Sequence, residues 1–157
     1  MIKGQSLARK VIVFRLDNEE FAVPVSQVGS IEKILPITRV PGTPAFIKGV
    51  INLRGVVTPI IDLKTRFKNE QTSFTDASRI IIVYLDELMV GIIVDEANDV
   101  IDIKEDAIEP KPEVIHSVEV DYISGVAKVD ERLLVLLDLE KVLNRDAISE
   151  LQATVER

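Results

Sequence analysis

Two aspartates stand at matching places in this chain. Asp62 closes the apolar run PIIDL (59–63), and Asp138 closes LLVLLDL (133–139). Paired carboxylates from two halves of a duplicated chain are the constellation of an aspartic protease, where one proton is shared between two acids. That chemistry needs a turn of small residues after each acid. Here Asp62 is followed by Leu63 and Lys64, and Asp138 by Leu139 and Glu140. The commoner use of such an aspartate is to cap the helical turn that follows its strand. His116 is the single histidine, in a loop near Glu113 and Glu119. Alone it makes neither a triad nor a multi-histidine metal site. No P-loop, glycine-rich dinucleotide fingerprint, EF-hand spacing or nucleophile elbow occurs. No enzyme, cofactor or metal is expected.

Composition narrows the classes further. The chain has 157 residues with a net charge of −7, so an anionic partner would be met against its overall field. Aromatics are 4% and tryptophan is absent, which is poor material for stacking single-stranded bases. An OB-like module for single-stranded nucleic acid is therefore the alternative rather than the leading reading. No cysteine is present, so no disulfide framework arises. The longest apolar stretches, such as RIIIVYL (79–85), are too short to span a bilayer, and MIKGQSLARK has no apolar leader core. A cytoplasmic protein with no direct membrane insertion is expected.

The elements that position these residues come in two sets. VIVFRLDNEEFAVPVSQVGSI (11–31) aligns without a gap on IIIVYLDELMVGIIVDEANDV (80–100). IKGVINLRGVVTPIIDL (47–63) aligns on ISGVAKVDERLLVLLDL (123–139), matching Gly49 with Gly125 and Asp62 with Asp138. One supersecondary unit thus occurs twice. Alternating aliphatic residues broken by short polar turns predict roughly five short strands per unit. The fold expected is all-β: two small five-stranded barrels of the SH3 or OB kind sharing a hydrophobic core. The repeats span 9–67 and 79–143, and segments can be exchanged between the barrels. Residues 68–78 are a polar junction, and 144–157 a helical tail with Ile148, Leu151 and Val155 on one stripe. Pro24 and Pro59 lack an amide donor, which places them at edges or bulges.

A barrel of about sixty residues cannot bury all of these aliphatics alone. Some of Val23, Val25, Val28 and Ile31, with Ile92, Val94, Ala97 and Val100, meet the other barrel. Those left over line a crevice between the two. The opposing reading, that all of them are core, follows equally from the alternation. The hairpin tips differ in charge: Arg54-Gly55 turns the first, and Val129-Asp130-Glu131 turns the second. The frame repeats while the tip reverses sign, which points to different surfaces or partners. A local acid that pairs with Arg54 and fixes the corner is the structural counterpart of that reading.

TPAFIKGVINLRGVVTPIIDL (43–63), VGIIVDEANDVIDI (90–103) and YISGVAKVDERLLVLLDLEKVL (122–143) strongly resemble the CheW family of chemotaxis coupling proteins. The resemblance covers about residues 9 to 145. It implies two barrels around a shared core, no catalysis, and an adaptor role. It implies binding of the cytoplasmic hairpin tip of methyl-accepting receptors and of the regulatory domain of the histidine kinase CheA, within arrays at the membrane. The receptor groove of the family maps here onto Ile12, Val25, Val28, Ile31, Val94 and Val100. The NLRG motif maps onto Asn52, Arg54 and Gly55, linked to receptor and kinase coupling. Fold-level analogy puts the kinase surface on the second barrel, at Val126, Lys128, Val129, Asp130 and Leu134. Many members carry a glutamate where this chain has Ser30, so a charged receptor contact there is not carried over.

Overall fold

The computed structural model of the chain describes residues 8–109, 120–143 and Ile148. Eleven strands, two short α-helices and three single-turn 3-10 helices occur in 8–109 and 120–143. In the first half the strands and α-helix are β1 (Ala8–Leu16), β2 (Glu19–Pro24), β3 (Val28–Lys33), β4 (Ile47–Leu53), β5 (Val56–Asp62) and α1 (Leu63–Lys68). In the second they are β6 (Arg79–Leu85), β7 (Leu88–Val94), β8 (Glu96–Lys104), β9 (Ile108–Glu109), β10 (Ile123–Val129), β11 (Arg132–Leu137) and α2 (Leu139–Leu143). His116, Leu151 and Val155 lie outside the described residues, as does the tail for which a helix was expected, apart from Ile148, which is helical and buried.

The strands form two sheets, and the two halves exchange hairpins to make them. One sheet runs β8-β1-β2-β11-β10-β9, the other β3-β6-β7-β5-β4. The first hairpin of each half therefore docks on the later strands of the other half. The pairings repeat as well: β2 lies parallel to β11 as β7 does to β5. The first sheet has six strands rather than five, because the two-residue β9 pairs with β10.

Both sheets are rolled, which explains a repeated glycine. β8 and β9 end the first sheet's order yet are joined by only residues 105–107, so its ends are drawn together. In the second sheet the chain leaving β3 crosses to β4, where Thr38 and Val50 exchange two backbone hydrogen bonds of 2.8 Å. At both seams the register slips by one residue, at Gly49 and at Gly125. A Cβ on Gly49 would stand 2.1 Å from the Thr38 carbonyl oxygen, and one on Gly125 3.0 Å from that of Glu109. The repeated glycine is where a closing strand comes near: too near for any side chain at Gly49, and tight against an added Cβ at Gly125.

Three aliphatic clusters follow from the strand alternation. Val11, Val13, Ala22, Ile103, Ala127, Leu134 and Leu136 fill the first barrel. Ile51, Leu53, Ile60, Ile80, Ile82 and Ile93 fill the second. Between the barrels, Ile12, Phe14, Phe21, Val23, Ile81, Val83, Ile92 and Val135 belong to a third cluster that both sheets share. Strand β6 reads as the unbroken run RIIIVYL because it is buried on both faces, Ile80 and Ile82 inward and Ile81 and Val83 between the barrels. Pro59 departs from the expected edge. Its strand β5 lies inside the sheet, but the ladder to β7 covers only Ile60–Asp62. The proline thus sits just before that ladder begins, where a missing donor costs little.

Asp62 is the N-cap of α1, fully buried. Its carboxylate accepts from the backbone of Lys64 at 3.0 Å and of Thr65 at 3.4 Å. It also accepts from the backbone and hydroxyl of Thr72, at 2.9 and 2.7 Å. One side chain thus starts the helix and fastens the junction between the halves. Arg66 joins the halves at a second place. Its guanidinium lies 4.5 Å from the Phe46 ring and 5.0 Å from that of Tyr122, which are repeat-equivalent aromatics. Its Nε donates at 2.8 Å to the carbonyl of Val142, the residue occupying its own place in the second half.

Candidate partner-binding surface

Strand β3 carries different chemistry on its two faces. Side chains of cross-strand partners share a face. Val28 pairs with Val83 and Ile31 with Ile81, both members of the cluster between the barrels. A bulge at Gly29 allows Val28 and Ile31, three residues apart, to share that face. Ser30 pairs with Ile82 and Glu32 with Ile80, so these two look toward the second barrel's interior. The groove face and the polar face of β3 are thus back to back.

The six groove residues separate by burial. Ile12 and Val94 are closed into the shared cluster. Val25 and Val28 are half-buried and pack against it. Ile31 is 42% exposed and Val100 57%. Val100 pairs with Ile12, so it too lies on the side of β8 that faces between the barrels. Val25 and Val28 thus sit at the margin of the shared core, while Ile31 and Val100 lie open on those faces of β3 and β8 whose cross-strand partners belong to it. The polar stretch Glu96–Asn98 opens β8, with Asn98 left out of the register between Val13 and Phe14.

The NLRG tip is a strained two-residue turn. Four hairpins have such turns, and the first turn residue is left-handed in each: Asp17 (φ 55°), Arg54 (49°), Asp86 (56°) and Asp130 (55°). Aspartate tolerates this conformation, whereas a long side chain is uncommon in it. Asn52 steadies the corner by accepting the Gly55 N–H at 2.7 Å. Arg54 donates to Glu32 at 3.1 Å while its side chain stays 69% exposed. The expected local acid therefore exists, and it sits on β3, at the opposite end of the sheet order from β4. A hydrogen bond from Ser30, and then one from Arg54, hold the Glu32 carboxyl below its ordinary value. Sequence reasoning did not single out Glu32. Its signal was the polar half of an alternating strand opposite Ile31.

The residues assigned to a kinase surface do not form one patch. Val126 and Leu134 are buried, Val129 packs against the first barrel's core, and Lys128 and Asp130 are exposed. Leu134 points into the first barrel because successive side chains of β11 alternate between the sheet's two faces. Its neighbour Leu133 is the exposed one, at 56%. Arg132 beside this tip holds Glu20 through two hydrogen bonds of 3.0 and 2.7 Å.

A second charged group braces the first hairpin. Lys64 lies 2.9 Å from Asp17 and 2.8 Å from Asp95, and Lys68 lies 2.9 Å from Asp17. Hydrogen bonds from Lys64 and Lys68 lower the Asp17 pKa. Burial opposes the charge of Lys64, but its bonds to Asp95 and Asp17 outweigh this and raise its pKa. The Asp17 contribution is present above its ordinary 3.8 and is lost as pH falls through the lowered folded value. That of Lys64 is present below 10.5 and lost as pH rises through the raised one. Lys64→Met is expected to move the acid unfolding midpoint upward, modestly because Asp17 is 41% exposed. Thermal melts along the acid limb check it, and an unmoved midpoint contradicts it.

Fold and surface together define an all-β protein-binding module of two rolled sheets. Among the described residues no group of three or more His, Cys, Asp or Glu could hold a metal, and no helix is long and apolar enough to cross a membrane. The CheW-like domain model matches residues 10–147. The chain is 46% identical over 138 residues to the chemotaxis protein CheW of Bacillus subtilis, covering 88% of each. It is 34% identical over 148 residues to that of Klebsiella aerogenes, covering 94% of this chain and 89% of the relative. The crystal structure of the scaffolding protein TtCheW from Thermoanaerobacter tengcongensis superposes with a TM-score of 0.80 at 36% identity, covering 90% of this chain and 92% of the other. The chain belongs to the CheW-like family and is a non-enzymatic coupling adaptor of chemotaxis. Nothing in these matches supports the single-stranded nucleic-acid alternative.

Proposed function

We propose that this chain bridges the cytoplasmic hairpin tip of methyl-accepting chemoreceptors to the regulatory domain of CheA, as a cytoplasmic protein recruited to receptor arrays. The observation that carries the reading is the double-faced strand β3. One face bears the exposed Ile31, and its other face bears Glu32 under Arg54. A receptor helix laid along an apolar edge of Val25, Val28, Ile31 and Val100 buries apolar surface there, the helix-in-groove mode. A partner engaging Arg54 pulls on the same strand from behind. The kinase surface in this reading includes the exposed part of the second tip, Lys128 and Asp130.

Arg54→Gly tests the coupling role. Glycine relieves the left-handed position, so stability is expected to hold or rise by about 1 kcal/mol. Kinase activity in a reconstitution of receptor, CheA and this chain is expected to fall severalfold. If activity per folded molecule stays intact, Arg54 only shapes the corner.

A further inference from the structure

The loop between β3 and β4 and the junction after α1 line an open cavity of about 340 Å³, to which none of the groove residues contributes. Its walls are held from both sides. In the loop, the Thr43 hydroxyl donates to the Val40 carbonyl at 2.9 Å, and the Ile47 N–H to that of Pro44 at 3.0 Å. Pro41 and Pro44 fix two further backbone angles. Across the cavity, Gln71 and Phe74 come from the segment that Thr72 fastens to buried Asp62. Binding there need not order either wall.

The lining is chemically one-sided. Ile37, Pro41, Pro44 and Phe74 supply apolar surface, and Phe74 is 48% exposed. Arg39 and Lys48 supply two cations, and no carboxylate lines the cavity. Among the described arginines, Arg9, Arg15, Arg54 and Arg132 hold carboxylates, Arg66 lies between two rings, and Arg79 donates to carbonyls. Arg39 is the one with no partner among the described residues. In a chain of net charge −7, two cations beside an exposed aromatic ring form a local field opposite to the whole.

We propose that this cavity seats a short acidic peptide segment of a partner protein, one apolar side chain against Phe74 and Ile37 and a neighbouring carboxylate on Arg39 and Lys48. The volume is at the small end for a free ligand and suits a side chain or two with their backbone. This surface is separate from the apolar edge, so its test does not depend on the receptor reading.

The test is an amide NMR titration of the full chain with the capped peptide Ac-Asp-Glu-Phe-Asp-Glu-NH2. Saturable shifts are expected at the amides of 37–48 and 71–74, weakened by salt. Arg39→Glu and Phe74→Ser, both at exposed positions, should each weaken binding about tenfold. A peptide with lysine in place of the acids should not bind. The proposal is overturned by absence of saturation at these amides, or by equal binding of the lysine peptide. It is also overturned if N-acetylphenylalaninate binds as tightly, or if the shifts fall at Ile31 and Val100 instead.

Discussion

Gly49→Ala is expected to destabilise the protein by about 4 kcal/mol, with overpacking supplying ~3 and a backbone conformation reserved for glycine ~1. The new methyl would lie 2.1 Å from the Thr38 carbonyl oxygen, and φ at this residue is 145°. Neither end of that contact can yield cheaply. Thr38 is fastened to Val50 by both of its backbone hydrogen bonds, and these close the second sheet. Parting them would leave two backbone pairs unmade where the barrel is sealed. Gly125→Ala is the internal control. There the added Cβ meets the Glu109 carbonyl at 3.0 Å, and φ is not in the glycine-favoured range. A loss of about 1–2 kcal/mol is expected, since a neighbour must shift only slightly. Urea unfolding of both variants measures the difference. Equal losses at the two glycines would mean that the seams are not closed in the way described.

The second large effect concerns the apolar edge. Ile31→Glu and Val100→Glu are each expected to weaken binding of a receptor hairpin tip by about ten- to a hundredfold, the range set by burying a polar group without a partner. Binding of the CheA regulatory domain should stay within about twofold if the two surfaces are distinct. Both side chains are exposed, so the unfolding midpoint should barely move. That separates them from Ile12 and Val94, where a carboxylate would enter the shared core and unfold the protein whatever it binds. Calorimetry against a receptor hairpin and against the kinase domain reads both affinities. Unchanged receptor affinity in either folded variant removes that residue from the surface.

These contrasts mark how far local pattern reaches. The four tips were legible because a two-residue turn needs left-handed residues, and Asp17, Asp86, Asp130 and Arg54-Gly55 stand between alternating runs. Asp62 was legible as a cap from its place between an apolar strand and Leu-Lys. The groove was legible only as a set of candidates. Ile12 and Ile31 have the same type and the same kind of strand around them, yet one is buried and the other open. Alternation says which residues share a face, but not how far a neighbouring strand or barrel extends over it. The Arg54–Glu32 pair was likewise open from one side, because the acid lies 22 positions away on a strand that β4 does not flank.

By itself the chain's order of residues determined the repeat, the strand alternation, the hairpin tips, the match of Gly49 with Gly125 and the cap at Asp62. Each depends on conformational limits or periods of a few residues, which any copy of the unit carries with it. Tertiary structure decided that the halves trade their first hairpins, that β3 turns Ile31 to one face and Glu32, held by Arg54, to the other, and that Ile31 and Val100 stay open. Those outcomes depend on which distant strands exchange hydrogen bonds. Parallel pairs such as β2 with β11 join segments more than a hundred residues apart, and no local period records such a choice.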